Sequence, residues 1–395
     1  MANRQLVELD RLADFRAGGT PPRTESSFWG GDVPWISGKD FKQFRVRDSQ
    51  ERLTEEGAER ATLVPAGSTL VLVRGMMLAN TIPVMFTERT VAFNQDVRAI
   101  VPRDGILPEY LAYAIQARVA TLHRFVTYSG HGTARLESDF IKALPVWKPT
   151  RIEQSAVVSV LRRYDASITV LNQRITAGQR RQQRLSHAWL TGETRFPSFS
   201  EIPWISTKLG ALFSNRRENG QSGLPTFSVT MHRGLVSRSS LDRRMKDTLP
   251  SERHLLVRPG DIVYNMMRMW QGASGRANSV GIVSPAYIVL APRPQMDSHF
   301  AAHWFKSAHM VHRFWAFSYG LTGDRLRLYF KDFSKIPVRI PTSLDEQRAI
   351  AEALDTTQCE IDLLKELRDQ IQQQKRGLMQ KLLTGQIRVK EAAHG

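Results

Sequence analysis

The chain has 395 residues, 42 % apolar and 24 % charged, with one cysteine and a formal net charge of +17. That length allows two or three domains with sizeable cores. A lone cysteine excludes an internal disulfide or a zinc-finger framework. With no run of about 18 apolar residues and no apolar leader, neither a membrane span nor a signal peptide is expected, and the setting is expected to be cytoplasmic.

Residues 1–196 carry 27 Lys and Arg against 20 Asp and Glu, and the remainder 28 against 18, so both halves are basic. Arginine supplies 42 of the 55 cations. Its planar fork donates two parallel hydrogen bonds, which suits phosphate and guanine. A genome that favours arginine codons is the alternative source of that ratio, but it does not explain the net charge, which favours a polyanionic partner.

Residues 1–150 read as a mixed α/β domain. Leu63-Val64-Pro65-Ala66-Gly67 is a turn, and the apolar run 68–73 after it a strand. The stretch 91–100 is strand-like, and 108–125 is helical. A Gly-rich aromatic loop follows, Tyr128-Ser129-Gly130-His131-Gly132-Thr133-Ala134-Arg135-Leu136, and Leu144-Pro145-Val146 closes the domain.

Residues 151–192 form the first long helix. Val157, Leu161, Tyr164, Ile168, Leu171 and Ile175 fall at steps of four and three, a coiled-coil seam. The seam passes Gly178 and Gln182 and recovers at Leu185 and Trp189. Residues 193–341 repeat the domain: Leu256-Val257-Arg258-Pro259-Gly260 is the turn, 261–264 and 281–290 are strand-like, 298–315 is helical, and Ser318-Tyr319-Gly320-Leu321-Thr322-Gly323-Asp324-Arg325-Leu326 is the loop.

Residues 342–386 form the second long helix, followed by a tail over 387–395. Its seam runs through Ile350, Leu354, Thr357, Ile361, Leu364, Arg368, Ile371, Lys375, Leu378 and Leu382. Polar residues inside such a seam fix register and partner choice. Both helices end in Leu-Thr-Gly, which makes Gly192 and Gly385 left-handed C-caps. Each runs for about 38 residues, roughly 57 Å at 1.5 Å per residue. Cys359 on the second helix reads as an inert, partly buried thiol.

Residues 153–195 and 346–388 are two copies of one sequence at a single offset: Glu153-Gln154 matches Glu346-Gln347, Leu190-Thr191-Gly192 matches Leu383-Thr384-Gly385, and Arg195 matches Arg388. A period near half the chain marks a duplicated unit. The expected fold is therefore α/β: two globular domains separated by two long antiparallel coiled-coil helices, with an internal pseudo-twofold.

A catalytic site is not legible. No Walker A loop is present, and the glycines at 130–132 make only a partial GxGxxG because its third position is Arg135. His299 and His303 have helical metal-ligand spacing but lack the glutamate that follows the first histidine in metalloproteases, so no metal site is expected. The stretch Asn265-Met266-Met267-Arg268-Met269-Trp270-Gln271-Gly272 reads either as base-contacting residues or as a core strand running into a turn. Gly272 and Gly275 would let backbone approach DNA closely. Its counterpart is Arg74-Gly75-Met76-Met77-Leu78-Ala79-Asn80. A second basic cluster, Arg243-Arg244 and Lys246 with Arg253 and His254, suits phosphates or water rather than bases.

Gly18-Gly19-Thr20-Pro21 and Trp29-Gly30-Gly31-Asp32-Val33-Pro34-Trp35-Ile36 resemble the start of a target recognition domain of the specificity subunits of type I restriction-modification enzymes. Val257-Arg258-Pro259-Gly260-Asp261-Ile262-Val263-Tyr264-Asn265 and Gly281-Ile282-Val283-Ser284-Pro285-Ala286-Tyr287 are similar to another subtype of it. The Leu-Thr-Gly helix ends are similar to those of the family's conserved helices. The resemblance spans essentially the whole chain.

It implies a non-catalytic reader of double-stranded DNA. Each domain would read one half of an asymmetric bipartite site, with the helices setting the spacer. The candidate DNA-binding residues are Arg74, Asn80, Arg124, His131, Arg135, Arg243, Arg244, Lys246, Arg268, Trp270, Gln271, Arg276 and Arg325. Two DNA adenine-N6 methyltransferase subunits would dock largely on the helices, with Leu161, Ile168, Leu171, Leu185, Leu354, Ile361, Leu364, Leu378 and Leu382 as the partner-binding set. Restriction subunits that translocate DNA would join for cleavage. S-adenosylmethionine, ATP and Mg would belong to those partners, leaving this chain without a cofactor. The alternatives are a coiled-coil adaptor that binds only proteins and a stand-alone enzyme with an unrecognised site.

Overall fold

The computed structural model describes residues 6–128, 133–241 and 249–389. Both long helices form, over Arg151–Thr191 and Leu344–Leu383. Each ends at a glycine in the left-handed region, Gly192 (φ 79°) and Gly385 (φ 69°). Beyond them the chain turns back with the same bond in both copies: Thr194 N donates to Ala188 O (3.2 Å) and Ile387 N to Lys381 O (3.1 Å). A side chain at Gly385 would also meet the Trp147 indole at 3.1 Å. Gly385→Ala is therefore expected to lower stability by about 1–2 kcal/mol, the left-handed penalty for an L-residue, as a drop in denaturation midpoint.

The chain packs as two compact units, Met1–Leu171 with Glu366–Gly395, and Asn172–Lys365. The sequence division at 150, 192, 341 and 386 sets the helices apart from the domains, whereas here each unit takes half of each helix. Seam residues and their neighbours Met379 and Leu190 explain this, because they complete the domain cores. Val157, Leu161, Met379 and Leu382 belong to the core of the first unit. Leu190, Ile350 and Leu354 belong to that of the second.

Every seam position is buried or half-buried, and within each unit the two helix segments run antiparallel. In the first, Lys375 Nζ donates to Asp165 Oδ1 (2.5 Å). In the second, Arg181 Nη2 donates to Glu360 Oε2 (2.7 Å) and Gln182 Nε2 to Gln358 Oε1 (2.9 Å), and Ile361 lies against Gly178. Two polar seam residues, Lys375 and Gln182, thus pair with side chains flanking the opposite seam. Shifted by the repeat offset, Asp165 falls on Gln358 and Lys375 on Gln182, so an ion pair in one unit stands where an amide pair stands in the other. Cys359, expected to be partly buried, is exposed, because it sits between seam positions Thr357 and Ile361 on the outer face.

The helix starts repeat as well. Gln154 is buried; it accepts from Leu107 N (2.6 Å) and donates to Gly105 O and Pro149 O. Gln347 is equally buried; it accepts from Asp297 N (2.7 Å) and donates to Gln295 O and Pro341 O. Each glutamine ties its helix to the loop before the domain's own helix, Pro108–Ala117 or Ser298–Trp304. The neighbouring glutamates face the arginine after the opposite helix end: Glu153 lies 3.7 Å from Arg388, and Glu346 lies 2.7 Å from Arg195.

The first unit holds a five-stranded sheet in the order Ala13–Ala17, Val97–Pro102, Thr69–Leu72, Val84–Thr87, Arg45–Val46, and a four-stranded one in the order Glu51–Leu53, Trp29–Ile36, Val91–Phe93, Leu63–Val64. The second holds a four-stranded sheet, Phe213–Arg216, Tyr287–Pro292, Ile262–Asn265, Ser274–Arg276, with smaller antiparallel pairs around it. The stretches 91–100 and 281–290, read as single strands, each break in two and serve different sheets. A side-chain-capped turn causes both breaks. Asn94 Oδ1 accepts from Asp96 N, and Ser284 Oγ from Ala286 N. The expected helical stretches also split, at Arg118 and at 305–307.

Candidate nucleic-acid interface

In the first unit, segment 74–80 crosses the surface as a short turn of helix, Met76–Ala79. It is pinned from three sides: Gly75 N donates to Ala134 O (3.0 Å), Leu136 N to Val73 O (2.9 Å), and His123 Nε2 to Leu78 O (2.8 Å). Leu78 is buried while Met76 is 81 % exposed and Met77 also faces solvent. These contacts bring Arg74, Asn80 and Arg135 onto one exposed rim, with Arg124 next to the pinning His123. Arg74 lies 3.9 Å from Asp96, and Arg135 pairs with Glu137 at 3.0 Å. Tyr128 and the stacked pair Phe125 and Phe140, with centroids 4.4 Å apart, are exposed in the same unit.

The second unit repeats the scaffold with different side chains. Leu328 N donates to Met266 O (2.8 Å), the counterpart of Leu136 N on Val73 O. Segment 265–273 winds through Arg268 N to Asn265 O (3.0 Å) and Gly272 N to Met269 O (2.7 Å). Met269 is buried and anchors the turn, while Met267 and Arg268 point outward. A core strand, Ile262–Asn265, thus runs into a turn that presents Met267 and Arg268 to solvent. Trp270 and Gln271 are half-buried, and the indole N–H donates to Met267 O (3.1 Å). Arg325 and Tyr319 are exposed on the adjoining loop.

Four sequence candidates, His131, Arg243, Arg244 and Lys246, lie outside the described residues. Arg276 is tied inward: its Nε donates to Ser298 Oγ (2.8 Å) and its Nη1 to Asn278 Oδ1 (2.7 Å). The close approach expected at Gly275 is filled from within the chain, since a Cβ there would fall 2.1 Å from Leu235 N. Gly272 (φ 84°) closes its turn against Val311.

Sequence reading missed the hairpin Phe227–Thr230/Gly234–Ser237, although alternating residues around a Gly-containing loop are a hairpin signal. His232 and Arg233 are exposed at its tip. It also missed Lys306, whose ammonium donates to Met231 O (2.9 Å) and Gly272 O (2.8 Å). The residue as a whole is exposed, yet desolvation of its tucked head lowers the ammonium pKa to about 8.

Of the seam residues named for partner binding, Leu161, Leu171, Leu354, Ile361 and Leu382 are buried within the chain, and Ile168, Leu185, Leu364 and Leu378 are half-buried. The outward faces of the helices instead present Ile152, Val170, Leu363 and Leu367. A groove of about 790 Å³ in the first unit runs between Pro108, Val158 and Arg162. Its buried carboxylate, Glu109, is held by Arg45 and Arg162. Among the described residues no cluster of three or more His, Cys, Asp or Glu could hold a metal ion, and His303 instead faces Asp355 at 2.8 Å. Among them, too, no helix is long and apolar enough to cross a membrane.

Two loop-bearing α/β domains, each completed by two antiparallel helix segments, define a duplicated recognition scaffold. The chain belongs to the type I restriction modification DNA specificity family, whose model matches residues 1–177 and 275–373. It is 29 % identical over 180 residues to the specificity subunit of the type I restriction enzyme EcoR124I/EcoR124II of Escherichia coli, covering 45 % of this chain and 44 % of that protein. It is 28 % identical over 165 residues to the MjaIX specificity subunit of Methanocaldococcus jannaschii, covering 40 % and 37 %. The matches thus span under half the length of these relatives. The fold is similar to that of the S subunit of a type I restriction-modification system from M. genitalium, with a TM-score of 0.57, 13 % identity and 96 % of each chain covered. It is also similar to a chain in a structure addressing complex assembly and conformational transition of the type I R-M system, with a TM-score of 0.55, 14 % identity and 98 % and 99 % covered.

Proposed function

We propose that this chain is the non-catalytic, sequence-reading subunit of a type I restriction-modification complex. Each unit reads one half of an asymmetric bipartite DNA site, and the long helices set the spacer. Two adenine-N6 methyltransferase subunits dock on outward helix faces, and restriction subunits join that assembly. S-adenosylmethionine, ATP and Mg belong to those partners. The observation that carries this reading is the repeated pinning bond, Leu136 N to Val73 O and Leu328 N to Met266 O, under rims whose side chains differ. One scaffold with two side-chain sets suits two different half-sites. Arginine and exposed methionine supply the chemistry, a bidentate fork for guanine and an apolar contact for the thymine methyl. Half-sites read from one face of a duplex lie about one helical turn apart, roughly 34 Å.

The test is a methylome of cells carrying the partner methyltransferase, with and without this chain. Deletion is expected to remove one bipartite, non-palindromic N6-methyladenine motif. A palindromic motif, or an unchanged methylome with the partner expressed, overturns the reading, the latter in favour of a protein-only adaptor. On the motif so found, Arg268→Ala is expected to relax discrimination in one half-site only, by about 1–3 kcal/mol per base pair read. Competition binding with duplexes altered in either half measures this.

A further inference from the structure

Lys306 occupies the three-residue junction between Ser298–Trp304 and Ala308–Ala316, and the junction fixes its backbone. Lys306 N donates to His303 O (3.1 Å). Phe305 before it is fully buried, and Ser307 after it caps the next helix by accepting from Met310 N (3.3 Å). From this corner the side chain reaches two carbonyls on separate segments. One, on Met231, belongs to the turn of the hairpin that exposes His232 and Arg233. The other, on Gly272, ends the turn that carries Arg268, Trp270 and Gln271.

The two segments also meet where Gly275 lies against Gly234 and Leu235. The body of the hairpin is seated by Phe227, Val229 and Leu235, which pack on the cluster of Val263 and Val289, whereas its tip, His232 and Arg233, is exposed. The ammonium adds a polar tie at the tip itself, since three donors on one centre can hold two carbonyl oxygens at once. We propose that Lys306 is a positioning residue for DNA readout by the second unit, holding the hairpin tip and the Arg268 turn as one surface. This inference rests on the reading of that surface as DNA-facing.

The test uses the full-length chain in complex with its methyltransferase partner. The probes are a duplex carrying the bipartite motif and duplexes with single base-pair changes in either half. The second unit's half-site is the one that Arg268→Ala relaxes. Lys306→Met is expected to lose at least tenfold discrimination in that half and to keep it in the other. Lys306→Arg, which retains the donors, is expected to restore most of it, with unfolding midpoints close to that of the unsubstituted complex. Unchanged discrimination with Lys306→Met overturns the proposal. Equal loss in both halves also overturns it, since that marks a general folding role. An unsubstituted complex that discriminates in neither half overturns the DNA-reading assignment itself.

Discussion

Glu346→Ala is expected to destabilise the protein by about 3–5 kcal/mol, the range for breaking a buried ion pair by removing one partner. Glu346 is fully buried. Its two oxygens accept from Arg195 Nε (2.8 Å) and Nη2 (2.7 Å), and one also accepts from the Trp204 indole (3.2 Å). Alanine would leave a guanidinium whose side chain is only 18 % exposed without its carboxylate, keeping the bond from Nη1 to Ser200 O (3.0 Å), and an indole N–H without its acceptor. The equivalent change in the other copy, Glu153→Ala, is expected to cost far less, about 1 kcal/mol. Its Arg388 partner stands 3.7 Å away and is exposed, and exposed pairs are worth little. What Glu153 contributes is its capping box with Thr150, formed by Thr150 N to Glu153 Oε2 (3.0 Å) and Glu153 N to Thr150 Oγ1 (3.3 Å). Denaturant titration of both variants measures the asymmetry, and equal losses would show that this pair of geometries does not govern stability.

Gln347→Leu and Gln154→Leu, in contrast, are expected to cost similar amounts, each about 3 kcal/mol. Every such change leaves one part-buried N–H and two carbonyls, one of them buried, without their glutamine partner, and an unsatisfied buried group costs about 1–3 kcal/mol. Leucine fills most of the volume, so the loss reports on hydrogen bonding rather than on a cavity. Amide exchange should locate the effect: Gln154→Leu exposes the start of the first long helix and Leu107 N, and Gln347→Leu the start of the second and Asp297 N. A loss below about 1 kcal/mol in either variant would count against the bonds as the source of the fixed helix starts.

Much of this fold was legible because its signals are local or periodic. The four-three spacing from Val157 to Ile175 has one physical solution, a helix with a single shielded stripe, and the Leu-Thr-Gly ends require a left-handed residue that glycine supplies cheaply. The repeat offset carried those readings from one copy to the other. The breaks at Asn94 and Ser284 were passed over although Asn94-Gln95-Asp96 and Ser284-Pro285 are turn-type residues, because the apolar residues on either side of each pattern together as one strand. Leu161 and Leu382 read as partner-facing for a related reason. A heptad says that a stripe is covered but not by what, and here the chain covers its own stripe. For the candidate interface, residue type pointed to Arg276 as readily as to Arg268. Only the fold distinguishes them, because Ser298 lies within reach of one and not of the other. Lys306 left no local trace, since its two carbonyls lie 75 and 34 residues away.

The division of the chain also dictates an order of events at the ribosome. The second unit is one continuous stretch, Asn172–Lys365, whereas the first joins Met1–Leu171 to Glu366–Gly395. Val157, Val158 and Leu161 share a core with Met379, Leu382 and Leu383, which are translated after the whole of the second unit. The first unit is therefore begun before the second and completed only after it. Until the C-terminal helix emerges, the nascent chain carries an open apolar stripe beside an otherwise folded domain, which is the kind of surface that chaperones bind and that aggregation exploits.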